Sequence, residues 1–269
     1  MARVDLKSAG YMFDLPSILA NRAWLRRPSP FPHVVACNVF APLFYEALAT
    51  SLRRILEAGL SESPIAGRFS RNIPGYDAYG IGINDSLDEP LTLFVSPVWR
   101  DLMVRLFAIP ETPYVFAGAH HHAVGSLSGF VHNDFNPVWF PRANGSELQI
   151  PQQELCAYKT GAGPLSASEK VEVVRGAVVI FYLLNDGWRP GDGGETGLFD
   201  TRSARVSEPQ ARCGPENNSL VAFECTPESY HTFLTNHRLP RTSIIMWVHR
   251  PLDDAVAKFG DKYLERWKS

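Results

Sequence analysis

A mainly β fold with flanking helices, a double-sheet jelly roll buttressed by helices on its N-terminal side, is what the order of patterns along this chain predicts. Three observations carry that expectation. Apolar residues at helical spacing recur within the first 110 positions, and about seven short β-patterned runs follow between 113 and 250. One of those runs, Gly176-Ala-Val-Val-Ile-Phe-Tyr-Leu-Leu184, is apolar on both faces, which places it at the centre of a sheet covered on both sides.

The elements follow in order. A proline-rich arm, Arg26-Arg27-Pro28-Ser29-Pro30-Phe31-Pro32, leads into a first strand over 34–39. Leu43, Tyr45, Ala47, Leu48, Leu52, Ile55 and Leu56 fall at helical spacing over 41–58, and Gly59 ends that helix. A second helix is expected over 97–108. Strands are expected over 114–117, 126–134, 171–184, 196–200, 219–224, 230–235 and 241–249, and a last helix over 253–267. The domain reading is therefore one unit: helical support over about 1–110, the jelly-roll core over about 111–250 and a C-terminal helix over about 251–269.

Composition narrows the function classes. A chain of 269 residues, 45% hydrophobic and 20% charged, can bury a large core, and one domain is the default. The formal charge of −2 gives no electrostatic footprint for nucleic acid or an anionic membrane, so neither is expected as a partner. The four cysteines, Cys37, Cys156, Cys213 and Cys225, contain no Cys-x-x-Cys pair, so neither a zinc knuckle nor a disulfide framework is signalled. The start of the chain lacks an apolar leader pattern and the longest apolar run is too short to span a bilayer, so a cytoplasmic location is expected.

Chemistry concentrates in His132-Asn133-Asp134, far downstream His231, and Arg241 ten positions after it. On a strand, His132 and Asp134 would point to one face, and His231 from a distant strand would complete two imidazoles and one carboxylate around a metal. Such a facial set leaves adjacent coordination positions open, which suits Fe(II) and oxygen chemistry. Period 2 places Arg241 and Ser243 on a common face with Ile245 and Trp247, and a buried arginine requires an anionic partner. Downstream of Asp134, Phe135, Trp139, Phe140 and Arg142 stand where a substrate wall would be: the rings to enclose an apolar substrate, Arg142 to meet a carboxylate. The other reading is a hydrophobic cap on the barrel. The run His120-His121-His122 would alternate, with His120 and His122 on one face; a core-satisfied or solvated trio is the alternative. Arg250, beside Pro251 at a strand end, is expected in solvent.

Together these residues resemble the Fe(II)/2-oxoglutarate-dependent oxygenases. Asn185-x-x-Trp188 followed by Gly193-Gly194-Glu195 is similar to a turn of the prolyl-hydroxylase-like branch, and Arg241-x-x-Ile244-x-x-Trp247 to that branch's last core strand. The resemblance spans roughly 114–250 and implies a double-stranded β-helix of cupin-like type. It implies that His132, Asp134 and His231 hold Fe(II), that Arg241 and Ser243 anchor the C5 carboxylate of 2-oxoglutarate, that His122 faces the barrel near the cosubstrate's C1 end, and that O2 is the second cosubstrate. The chain departs from the branch at Leu183, where the pattern carries a tyrosine that contacts 2-oxoglutarate. The activity implied is oxidative decarboxylation of 2-oxoglutarate coupled to hydroxylation of a C–H bond. A small molecule, such as an amino acid or an intermediate of specialised metabolism, is the expected substrate. A peptidyl-prolyl or other protein hydroxylase is the alternative enzyme, and a non-catalytic metal-binding or sensing jelly roll the alternative from another class. Asp134 argues against a halogenase, because a carboxylate fills the position that chloride would need.

Overall fold

A computed structural model describes residues 13–71, 76–84, 86–87, 89–145 and 147–267. In chain order its elements are α1 (Leu15–Ile18), β1 (Leu25–Arg27), β2 (His33–Cys37), α2 (Pro42–Glu57), β3 (Tyr79–Gly82), α3 (Glu89–Thr92) and α4 (Pro97–Phe107). There follow β4 (Val115–His122), β5 (Pro137–Pro141), β6 (Lys170–Tyr182), β7 (Thr196–Leu198), β8 (Ala211–Cys213), β9 (Ser219–Glu224), β10 (His231–Phe233), β11 (Arg241–Pro251) and α5 (Leu252–Phe259). The strands form two antiparallel sheets. The major one runs β1-β2-β9-β6-β11-β4-β3, with β5 paired to the N-terminal half of β6; the minor one runs β10-β7-β8.

Period 2 divides the core into two layers. On β6, Ala177, Val179 and Phe181 face the helices, where Leu48 and Leu52 of α2 and Trp99 and Met103 of α4 meet them. Val178, Ile180 and Tyr182 face the minor sheet, with Leu198 of β7, Val221 and Phe223 of β9 and Trp247 of β11. β11 alternates in the same way, Ile244, Met246 and Val248 toward the helices and Ile245 and Trp247 toward the sandwich interior. The fold is thus mainly β, with the helices covering one face of the major sheet, as the alternation in 176–184 requires. Helix α4 starts on Ser96, whose hydroxyl accepts the Trp99 N–H, with Pro97 at its first position. Among the described residues no helix is long and apolar enough to cross a membrane.

The structure revises several sequence expectations. The segment read as helical support also supplies β1, β2 and β3 to the major sheet, so the sheet reaches outside 111–250. The expected strand over 126–134 does not form. There β4 runs on to His122 and a loop follows, in which His132 alone bridges to His231 and Asp134 takes φ +58°, a backbone that no β-strand uses. Arg250, expected in solvent, is fully buried and donates to Glu224 at 2.6 Å, with Asp254 at 3.3 Å. Its strand continues to Pro251 and α5 closes over it. That helix is shorter than the expected 253–267, ending at Gly260, whose φ of +94° stops it.

Candidate metal centre and cosubstrate pocket

Backbone pairing brings the two histidines together. The His132 N–H donates to the His231 carbonyl at 3.1 Å and the His231 N–H donates back at 2.7 Å, a closed antiparallel pair whose side chains share one face. The rings lie 4.4 Å apart between centroids. Each Nδ1 is tied to a carbonyl two residues back, His132 to Phe130 at 2.8 Å and His231 to Ser229 at 3.0 Å. Those bonds place the ring proton on Nδ1 and leave both Nε2 lone pairs directed into the same space. The intervening Asn133 locks the loop: its amide oxygen accepts the Phe135 N–H, its NH2 donates to Pro227, and its carbonyl accepts the Ser229 hydroxyl.

The left-handed residue Asp134 then turns its carboxylate toward the same space. Its Oδ1 lies 3.8 Å from His132 Nε2 and its Oδ2 3.6 Å from His231 Nε2, and the three donor atoms all fall within 4.8 Å of one another. Two imidazoles and one carboxylate, so spaced, could hold a single divalent ion of the Fe(II) type while leaving positions free. Burial alone would push the Asp134 carboxyl up, but the Arg175 guanidinium and the facing imidazoles hold it well below the usual carboxylate range. Burial holds His132 down to about 4, in the neutral form that binds metals.

Arg241 lies across the sandwich in β11. Cross-strand pairing sets it opposite His122 of β4, and sets Ser243 between His120 of β4 and Tyr182 of β6. Residues directly paired in this way share a face. The turn after β6 fixes this end of the strand. Asn185 accepts the Thr242 N–H at 2.7 Å and donates to the Thr242 carbonyl at 2.9 Å, gripping the residue between Arg241 and Ser243. Trp188 closes the turn by donating to the Gly193 carbonyl at 2.8 Å. Gly193, at φ +80°, lies against the Thr235 carbonyl with no room for a Cβ.

Among the described residues no anion faces this pocket. Arg241 is buried, and the hydrogen bond it makes among them is a long one, 3.4 Å to the Thr196 hydroxyl, which also bonds Tyr182. Arg241 Nε, Ser243 Oγ, His120 Nδ1 and His122 Nε2 are all buried without a hydrogen-bond partner among the described residues. A buried guanidinium beside an unpaired hydroxyl fits a carboxylate that arrives with a ligand, and so fits 2-oxoglutarate. His122 stands beside Arg241, stacked on Phe233 with ring centroids 3.7 Å apart and with Nδ1 2.9 Å from the Asp77 carbonyl. Its proton therefore sits on Nδ1, burial keeps the ring neutral, and Nε2 can accept but not donate. Such a nitrogen suits a guanidinium better than a carboxylate.

The predicted substrate wall is not brought to the metal centre. Phe135 is fully buried beneath the C-terminal segment, against Val174, Ala255, Leu264 and Phe259, and presents no face to a ligand. Trp139 and Arg142 belong to the β5 end of the major sheet. They line a separate cleft of about 510 Å³ with Tyr114, Lys170 and Leu252, and Arg142 donates to the Ser168 and Lys170 carbonyls. The segment is the paired strand β5, so the hydrophobic-cap reading is the one its packing matches. Sequence reasoning missed Arg175, Tyr158 and Tyr76. Tyr76 stands edge-on to His122 and Phe233 in the Arg241 pocket. Only Arg175 carried a signal, a charge directly before the apolar run 176–184.

Comparison with known proteins agrees with this geometry. Residues 154–249 match the family model of the 2OG-Fe(II) oxygenase superfamily, a span that includes His231, Arg241 and Ser243. That span carries a 2OG-Fe(II) oxygenase domain. The histidine and aspartate that the matched span does not reach, His132 and Asp134, are those that the fold places against His231. Among solved structures the oxygenase is similar to a Pseudomonas putida prolyl-4-hydroxylase, with 17% identity, TM-score 0.52, and coverage of 81% of this chain and 92% of that one. It is also similar to a Trichoplax adhaerens prolyl hydroxylase solved with a hypoxia inducible factor peptide, with 13% identity, TM-score 0.52, and coverage of 84% and 86%. At such identities the likeness is one of fold, and it is the double-stranded β-helix. No curated protein sequence matches the oxygenase. It is a 2-oxoglutarate-dependent dioxygenase of prolyl-hydroxylase-like architecture, using Fe(II), 2-oxoglutarate and O2.

Proposed function

We propose that this dioxygenase hydroxylates a C–H bond of a small molecule, an amino acid or an intermediate of specialised metabolism. In this reading Fe(II) is held by His132, Asp134 and His231, and the C5 carboxylate of 2-oxoglutarate by Arg241 and Ser243. The observation that carries it is the pairing of an intact two-imidazole, one-carboxylate cluster with a buried, anion-free arginine inside one sandwich. Bound Fe(II) supplies the centre at which O2 and 2-oxoglutarate are converted, with succinate and CO2 released and hydroxylation as the coupled outcome. The chain supplies position. Carbonyl-bound Nδ1 atoms fix the two imidazoles, Asn185 fixes the strand that carries Arg241 and Ser243, and the packed rings of Phe116, Trp247 and Tyr158 exclude water from the interior.

The substrate class is open to a second reading, because the neighbours above are prolyl hydroxylases, one of them solved with a peptide, and a peptidyl-prolyl substrate shares the same cluster. The small-molecule reading draws on the sequence, in which no extended basic or tandem-aromatic stretch suited to a polymer stands out. The test is succinate release by the Fe(II)-loaded enzyme across free amino acids, small acids and proline-containing peptides, with oxygen-18 from labelled O2 traced into product. Substrate-dependent succinate with small molecules and none with peptides supports the proposal. Turnover confined to peptides replaces it with the second reading, and a chain that binds metal but turns over nothing would return it to the non-catalytic metal-binding class.

A further inference from the structure

The most central strand of the molecule contains one irregularity, and it delivers a charge to the metal centre. Along β6 the pairing with β11 runs Val248 with Ala177 and then His249 with Arg175, so Gly176 is an extra residue. Strict alternation from Ala177 would turn Arg175 toward the helices; the bulge reverses that and turns it into the sandwich. The space at Gly176 explains the residue, since a Cβ there would meet the Ile109 side chain at 2.8 Å and the Val248 carbonyl at 3.3 Å. Inside, Arg175 Nη1 donates to Asp134 Oδ1 at 2.5 Å, while the Trp247 indole N–H donates to Oδ2 at 2.9 Å. The guanidinium lies 4.2 Å over the Trp247 ring. It is braced from behind by its Nε donating to Tyr158 at 3.2 Å, Tyr158 to His249 at 2.9 Å, and His249 Nδ1 to the Tyr114 carbonyl at 2.9 Å.

Resting on the assignment of His132, Asp134 and His231 as the metal ligands, we propose that Arg175 is a positioning residue for the metal carboxylate. With Trp247 it clamps Asp134 to a single-oxygen ligand and offsets its charge, so that the neighbouring coordination positions stay open to 2-oxoglutarate and O2. A carboxylate has about four acceptor positions. One on each oxygen is taken by these two donors, which stops the group from rotating to chelate the ion with both oxygens. Buried ion pairs return little stability for their desolvation, so an inward arginine that needs a bulge in the central strand is poorly explained as packing.

The test uses Co(II) as probe on the full chain at mildly alkaline pH, followed by visible absorption and by thermal denaturation. Wild-type protein binding one Co(II) tests the ligand assignment by itself; no binding would remove that assignment. Given wild-type binding, Arg175→Met takes away the offsetting cation and frees Oδ1. Its Co(II) affinity should then rise by at least about threefold, since a unit charge a few ångströms from a dication is felt even at high effective dielectric. Its Co(II) absorption should change, and 2-oxoglutarate should perturb that absorption less than in wild type. A guanidinium that only supports packing predicts the reverse, a weaker or unchanged site with the 2-oxoglutarate response intact, and either result would overturn the proposal. Should Arg175→Met not fold, Trp247→Phe carries the test, because it removes the Oδ2 donor at constant charge. A diminished 2-oxoglutarate response at near wild-type Co(II) affinity supports the clamp, and an unaltered response refutes it.

Discussion

Two arginines are buried in the same sandwich, and they are opposites. Arg175 on β6 is paired in the folded chain, with a carboxylate at 2.5 Å, a phenol at 3.2 Å and an indole beneath it. Arg241 on β11 has a single hydroxyl at 3.4 Å, and its Nε finds no hydrogen-bond partner among the described residues. A desolvated cation without an anion is costly, and a protein tolerates it where a ligand brings the anion. On the proposed reading, the contrast separates the permanent part of the site from the part that cosubstrate completes. Among the histidines, His132, His231 and His122 all have Nδ1 satisfied by a carbonyl, and in the Arg241 pocket His122 Nε2 and His120 Nδ1 find no hydrogen-bond partner among the described residues.

The largest expected effect breaks the comparison on stability. Without metal or cosubstrate, Arg175→Met strands a buried carboxylate and should destabilise the fold by about 3–5 kcal/mol. Arg241→Met removes a charge that has no partner and should leave the fold as stable or more so. Urea denaturation of the two variants measures this directly, and equal losses would erase the distinction. On the ligand side the order inverts. Arg241→Met should weaken 2-oxoglutarate binding by about 2–5 kcal/mol, read by titration into metal-loaded protein, if the pair forms in the buried pocket.

A smaller effect sharpens the contrast. Saturating wild type with 2-oxoglutarate at about a hundred times its Kd should add about 2.7 kcal/mol to the unfolding free energy, and the same concentration should add far less to Arg241→Met. Equal stabilisation would show that 2-oxoglutarate binds elsewhere. Ser243→Ala, which deletes one neutral hydroxyl from the pocket, should cost about 1 kcal/mol of 2-oxoglutarate binding and leave metal affinity alone.

Acid adds a last test. Burial holds His121 down to about 4 and His249 to about 3, from an ordinary value of 6.5. In the unfolded chain these rings take a proton near 6.5 and in the folded chain only far lower, so their contribution to stability is full above 6.5 and is lost as pH falls toward 4 and 3. Thermal midpoints should therefore be flat from pH 8 to 7 and decline steadily below 6.5. His121→Gln should shallow that decline, because its Thr242 contact is a neutral hydrogen bond; an unchanged slope would assign the acid sensitivity to other groups.

The residues of the chemistry were legible in one dimension because their spacing is set by strand periodicity. Arg241 and Ser243 share a face at any register, and the two-sided apolar run at 176–184 identifies the central strand whatever its partners. The helices over 41–58 and 97–108 were legible for the same reason, each local pattern matching the stripe it buries. Where periodicity fails, the sequence misled. His132 and Asp134 meet through a bridge and a left-handed residue and not through a regular strand, and the aromatic run from Phe135 to Phe140, which could have lined a pocket, is core and edge strand.

By itself, then, the sequence determined the class of fold and the common face of Arg241 and Ser243, because each rests on a short repeat, while His132, Asp134 and His231 stood out as candidate ligands by residue type alone. Only the tertiary structure decided which cations are paired. Arg175 lies 41 residues from Asp134, and one extra glycine in β6 turns it from the helix face to the metal face. That reversal follows from packing around Gly176, where Ile109 and the Val248 carbonyl leave no room for a side chain, and these contacts exist only once distant strands have met.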